Sequence, residues 1–261
     1  MLANLQGTNV FYEVVGDGLP VVFVHGLGGT ANVWHAQRLG LSKYFKVVTF
    51  DLPGSGRSEK TERNYSMERW VEQLAALADA VRLDKFVLVG HSMTTVLAQK
   101  FAAKYGARLA GLVLCGPITE LPPAGKEAFT KRAETVLKEG MLPVADAVLG
   151  GALTAATREA NPALAGMVRE LLLANETACY AGHCHALLNG SAKADQAQIK
   201  CPTLILVGDQ DAVTPLSNAR AIAAALPGGA RIRIVPATAH LTMMERPELF
   251  NAALIEFLAG L

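Results

Sequence analysis

No apolar run in this chain approaches the roughly 18 residues that a membrane-spanning helix needs, although apolar residues fill 51% of its 261 positions. Charged residues are few, at 18%, and nearly balanced, with a formal net charge of +1. Lys and Arg are scattered and form no basic stripe, so the chain lacks the electrostatic footprint of a nucleic-acid binder. Cysteine is scarce. Cys115, Cys179, Cys184 and Cys201 have no disulfide-framework spacing, and a chain of this length needs none. Free thiols in a reducing, cytoplasmic compartment are the expectation. The opening "MLANLQGTNVFYEVVGDG" lacks the basic and then apolar segments of a secretory signal, and reads as two short strands around a Gly7 turn. Repeats and low-complexity segments are also missing.

What is present is a succession of short apolar, β-branched runs: "PVVFVHG", "FKVVTFD", "KFVLVGH", "LAGLVLCG", "CPTLILVGD" and "ARIRIVP". Continuous apolar runs suit strands covered on both faces, as in parallel sheets. Helical patterns lie between most of them, at 66–82, 93–105 and from Pro247 to Leu258, where a proline suits the first turn. Strand alternating with helix predicts an α/β fold: a mostly parallel, eight-stranded sheet with helices on both faces. One stretch breaks the alternation. After "LVLCGP" the next strand waits until Thr203, and residues 118–198 read as helices at 124–139, 141–152 and 161–190, broken near Asn175. The expected organisation is a core of residues 1–117 and 199–261 with a helical cap inserted at 118–198. "LPPAG" (121–125) and 193–202 are its expected hinges.

Ligands of a parallel sheet gather at the carboxyl ends of the strands. After "VVFV" comes His25-Gly26-Leu27-Gly28-Gly29. Close glycines can aim backbone N–H groups into a site, with Leu27 as the donor, or can form an ordinary turn. The segment is no phosphate loop, because G-K-[ST] is absent. After "FVLV" comes Gly90-His91-Ser92-Met93-Thr94. A serine on a tight strand-to-helix turn can be a nucleophile, with the Met93 N–H beside the oxyanion, or it can simply cap the helix. Thr94 stands where G-x-S-x-G has its last glycine. That predicts either small residues on the facing strand or a slightly opened turn.

After "LILV", Asp209 and Asp211 compete to be the acid that orients a histidine. Asp211 is favoured because it lies deeper in the loop and precedes "VTP". Both could also be ordinary turn aspartates. After "RIRIV", His240 stands on the last strand-to-helix loop as a candidate base. The order Ser92, Asp211, His240, each past a different strand, is that of hydrolases of this architecture. His25, Gly26 and His91 flank the site as supporting residues. His183, Cys184 and His185, with Cys179, match no strong zinc spacing, and neither metal nor cofactor is expected.

The segments "HGLGG" (25–29), "FDLPGSGRS" (50–58), "GHSM" (90–93), "GDQDAVTP" (208–215), and "AH" with "ERPELF" (239–250) together resemble the α/β-hydrolase-fold superfamily over nearly the whole chain. Within it the chain is similar to the serine hydrolase branch of 3-oxoadipate enol-lactonases and small carboxylesterases. The resemblance implies Ser92 as nucleophile, Asp211 as acid and His240 as base, with the Leu27 and Met93 N–H groups forming an oxyanion hole. Asp51 belongs to a loop that is structural in the family. Thr94 and Thr95 depart from the usual glycines.

The expected activity is hydrolysis of rather apolar carboxylic esters through an acyl-enzyme. The leucine, methionine and alanine content of the inserted segment predicts an apolar site. Lactone hydrolysis, C–C bond hydrolysis and perhydrolysis would use the same triad. A non-catalytic ligand receptor on this fold is the reading from another class. The expected partner is a small-molecule ester or lactone, with the protein a monomer or homodimer.

Overall fold

The computed structural model describes residues 1–60 and 64–261. Eight strands form one sheet: β1 (Leu2–Leu5), β2 (Thr8–Val15), β3 (Pro20–Val24), β4 (Lys46–Phe50), β5 (Phe86–His91), β6 (Leu109–Cys115), β7 (Thr203–Gly208) and β8 (Arg231–Val235). Their spatial order is β1-β2-β4-β3-β5-β6-β7-β8. The first two strands pair antiparallel and β2 runs antiparallel to β4. Every later pairing is parallel.

The apolar strands are buried on both faces because each face carries helices. In β3, Val22 and Val24 enter one core, together with Trp70 and Leu74 of α2 (Met67–Ala80) and Leu97 and Phe101 of α3 (Met93–Tyr105). Their neighbours Val21 and Phe23 enter the other, which also holds Trp34 and Leu41 of the segment ending in α1 (His35–Leu41). This is the period of two of a pleated strand. The helical predictions hold closely. α2 is capped by Ser66, whose side chain accepts the Arg69 N–H at 3.2 Å.

β8 departs from the expected pattern. Arg231 and Arg233 are exposed and pair with Glu256, at 3.3 Å for Arg231. As the last strand of the sheet, β8 has only β7 beside it, and its alternating arginines and isoleucines fit an edge rather than a doubly covered interior.

Between β6 and β7 run α4 (Pro123–Glu139), α5 (Leu142–Ala152), α6 (Ala155–Ala160), α7 (Pro162–Leu173) and α8 (Thr177–Asn189). The short α6, whose start is capped by Thr154 through the Thr157 N–H at 3.0 Å, is an addition to the predicted helices. The segment leaves and returns side by side: Glu120 bridges Ser191, and the Ala192 N–H donates to the Thr119 carbonyl at 3.0 Å. The chain ends with α9 (Leu216–Ala225), α10 (Thr242–Glu245) and α11 (Pro247–Leu258). Among the described residues, no helix is long and apolar enough to cross a membrane.

Candidate active site

Ser92 sits between the last residue of β5 and the first of α3, with φ 54° and ψ −120°. A positive φ is rare and costly for a residue with a Cβ, by about 1–3 kcal/mol. The surroundings hold it there. The Ser92 N–H donates to the Cys115 carbonyl of β6, and the Ser92 carbonyl accepts from the Thr95 N–H, both at 2.9 Å. The side chain makes no capping bond to the helix, which argues against a mere cap. Met93 follows as the first helical residue, where an N–H has no partner within the helix.

Glycine is required opposite. A Cβ on Gly26 would lie 3.2 Å from Ser92 Cβ and 2.7 Å from His91 Nδ1. Gly26 thus lies close along the serine, and Leu27 lines the same cavity. His25 steers this loop. Its buried ring donates from Nδ1 to the Gly26 carbonyl at 2.8 Å and accepts the Leu52 N–H on Nε2 at 3.0 Å. Burial depresses its pKa against the opposing pull of Asp51, so it works as a neutral brace. Asp51 is fully buried and accepts the Ala31 N–H at 2.7 Å and the Arg57 N–H at 2.8 Å, which fastens the loop rather than facing Ser92.

His240 stands across the site, with its Nδ1 2.9 Å from Asp211 Oδ2. Asp211 is saturated on its other sides. Its Oδ1 accepts the Val213 and Thr214 N–H groups at 2.9 and 2.8 Å, and the Thr214 hydroxyl donates to Oδ2 at 2.7 Å. Burial pushes the Asp211 carboxyl upward, but the His240 bond and charge and the Thr214 donors outweigh it and hold the pKa below its ordinary value. An ionised carboxylate on Nδ1 keeps that nitrogen protonated and leaves Nε2 as the basic atom. Asp209 is exposed and accepts the Thr238 N–H at 3.1 Å. It braces the loop before His240 and does not contact the ring.

His91 supports the histidine directly. Its Nε2–H donates to the His240 carbonyl at 3.1 Å, and the two rings stand 4.7 Å apart. Burial, and then the proximity of His240, push the His91 pKa down to about 3. Two supports were not singled out from the sequence. Thr214 stands three residues after Asp211, a spacing common where a carboxylate caps the following turn. Glu245 accepts the Ala239 N–H on one oxygen at 2.6 Å and the Thr154 N–H on the other at 2.8 Å. It thereby ties the His240 loop to the start of α6, and no local motif announces such a bond.

Ser92, His240, Leu27 and His91 line one cavity of about 160 Å³, enclosed from the other side by α4, α5, α7 and α8. Val148, Val168, Leu171 and Leu172 make most of that wall apolar, as expected. His183 and Cys184 are buried in α8, where the His183 Nε2–H donates to the Pro53 carbonyl at 2.8 Å. No disulfide joins the four cysteines.

A sequence model described as the alpha/beta hydrolase fold matches residues 20–247. Among solved structures, a thermophilic esterase from Thermogutta terrifontis is 32% identical, covering 97% of this chain and 94% of that one, with a TM-score of 0.92. The enol-lactonase from Burkholderia xenovorans is 27% identical, covering 99% and 100%, with a TM-score of 0.94. A curated non-heme haloperoxidase from Rhodococcus erythropolis is 27% identical over 97% of both chains.

Proposed function

The chain belongs to the alpha/beta hydrolase fold family, and from that premise we propose that it hydrolyses carboxylic esters, with Ser92, His240 and Asp211 as its triad. The observation that carries this reading is the pairing of a serine at positive φ with a carboxylate-bound histidine on one cavity. The likeness to an esterase at 32% identity points to the same chemistry.

His240 Nε2 takes the Ser92 hydroxyl proton as Oγ attacks the ester carbonyl. The oxyanion accepts from the Leu27 and Met93 N–H groups. His240 then returns the proton to the departing alcohol, leaving an acyl-enzyme. Water attacks that ester, giving its proton to His240, which passes it back to Ser92 Oγ as the acid leaves. Asp211 holds the ring and offsets its transient charge. The five helices of residues 123–189 act as a cap over this site, and four cysteines held as thiols rather than disulfides fit a reducing, cytoplasmic setting. Lactone hydrolysis is the second reading, favoured by the likeness to the enol-lactonase.

The test is turnover of p-nitrophenyl esters of increasing acyl length, together with simple lactones. Wild-type protein should turn over many equivalents, and Ser92→Ala should lose turnover by at least a thousandfold. Product limited to one equivalent would mark a ligand receptor. Full activity in Ser92→Ala would remove the nucleophile.

A further inference from the structure

The cavity is not apolar throughout. Arg132, on α4, reaches into its wall, and no acidic side chain lines it. Arg108, Arg169 and Arg246, on or beside helices elsewhere, each face a carboxylate. Arg132 instead lies over the ring of Phe129, 4.5 Å from its centroid. Among the described residues no carboxylate pairs with it. A half-buried guanidinium without a counter-charge, set in an apolar wall, is costly unless a ligand supplies the charge.

A second polar group stands beside it. Tyr180, on α8, is 1% exposed and lines the same cavity, yet its O–H donates to no acceptor among the described residues. Buried hydroxyls are normally satisfied. Burial pushes this phenol up to about 12, while the Arg132 charge and the approach of its guanidinium N–H to the phenol oxygen pull the other way, so Tyr180 stays neutral with its own O–H still to donate. Its ring packs against the loop after Leu27: a Cβ on Gly28 would lie 3.1 Å from Tyr180 Cε2. One fixed cation and one unused O–H, adjacent and on the wall of the Ser92 cavity, match the two oxygens of a carboxylate.

We propose that Arg132 and Tyr180 form an anion subsite, so that the substrates are esters or lactones carrying a second, free carboxylate. This deepens the ester-hydrolase reading and rests on it. The guanidinium binds the free carboxylate and Tyr180 donates to it, while the neutral ester group meets Ser92. Neither group takes part in bond breaking; both set which molecules reach the serine in register.

The experiment compares p-nitrophenyl hemiglutarate with p-nitrophenyl valerate, equal in acyl length, across wild-type protein, Arg132→Gln, Arg132→Lys and Tyr180→Phe. In parallel, calorimetry follows glutarate binding to the same four proteins. In the wild type, kcat/KM should favour the hemiglutarate at least tenfold. Arg132→Gln should cut that preference at least tenfold, chiefly through KM, and abolish glutarate binding. Arg132→Lys should restore part of both, and Tyr180→Phe should weaken both about threefold. Equal use of the two esters by wild type, or a preference unchanged in Arg132→Gln, overturns the subsite and leaves ester hydrolysis standing. Arg132-dependent glutarate binding without turnover of either ester sustains the subsite and sinks the hydrolase reading. Neither turnover nor binding overturns both.

Discussion

The hydroxyl of Thr94 lies 3.1 Å from the carbonyl oxygen of Val24, the last residue of β3. It also accepts the His91 N–H at 3.1 Å and lies 3.0 Å from the His91 carbonyl. The residue that replaces the usual glycine therefore stitches the turn around Ser92 to the strand that leads into the His25 loop. The close approach of helix and strand is carried by Gly90 instead, where a Cβ would lie 2.8 Å from the Thr94 carbonyl oxygen. Of the two expected outcomes, small residues opposite or an opened turn, Gly90 supplies a small residue at the approach, while β3 offers Thr94 the Val24 carbonyl. Thr94→Val keeps the shape and strands a buried N–H and carbonyl. It should lose about 1–3 kcal/mol of stability in urea denaturation, whereas Thr94→Ser should stay near wild type. Thr94→Gly should remain active but melt lower, since it removes the stitch and loosens the helix.

Asp211→Asn should lower kcat by on the order of a thousandfold or more, because the amide no longer enforces the Nδ1–H form of His240. Asp209→Asn should change kcat by less than about threefold, since an exposed amide oxygen still accepts the Thr238 N–H. Steady-state kinetics with one activated ester compares them. A crippled Asp209→Asn beside an active Asp211→Asn would reverse the assignment.

Acid should destabilise the fold before it protonates ordinary carboxylates. His91 and His183 are buried and neutral, with pKa values pushed down to about 3 and about 4. The unfolded chain binds their protons near pH 6.5, so stability falls as pH drops below that value and continues falling toward the folded values. Two such sites give a slope of about 3 kcal/mol per pH unit near pH 5. Asp211 acts at lower pH. Its depressed folded pKa contributes stability that is complete above about pH 4 and lost as pH falls through the folded value. Urea midpoints at pH 7, 6 and 5 should fall progressively, and His183→Gln should flatten the decline. A midpoint independent of pH over that range would contradict the neutral burial of both rings.

Glu245→Gln should reduce both activity and thermal stability. An amide oxygen replaces only one of the two acceptors that bind the Ala239 and Thr154 N–H groups. The expected loss is about 1–3 kcal/mol. In kinetics kcat should fall several-fold, since the loop carrying His240 loses its tie to α6. A Tm within one degree of the wild type would refute the bridging role.

The sheet was legible because β3, β5, β6 and β7 are buried on both faces and carry that fact as unbroken apolar runs. β8 was legible as a strand but not as an edge, since partner count is a property of topology. Ser92, Asp211 and His240 could be picked out because each lies just past the end of a different strand. Choosing Asp211 over Asp209 needed only loop position; in the fold Asp211 Oδ2 lies 2.9 Å from His240 Nδ1. The roles of Thr94 and Glu245 are hidden because their partners are backbone groups, which every sequence offers equally, and that of Thr214 because its partners, Asp211 and His240, meet only in the folded chain. Arg132 and Tyr180 were equally hidden, 48 residues apart on two helices whose packing no local pattern specifies.

Glu120 and Ser191 meet where the helical segment leaves and rejoins the core, and β6 and β7, on either side of it, are parallel neighbours in the sheet. The segment therefore leaves and re-enters the core at one closed junction, and is tied to it again at Thr154–Glu245 and His183–Pro53. A foreign helical insert spliced at 120 and 191 would leave every strand pairing in place, provided that it also supplied partners for Glu245 and the Pro53 carbonyl. Substrate preference could then be transplanted between members of this fold while the serine, the histidine and the sheet that carries them stay untouched.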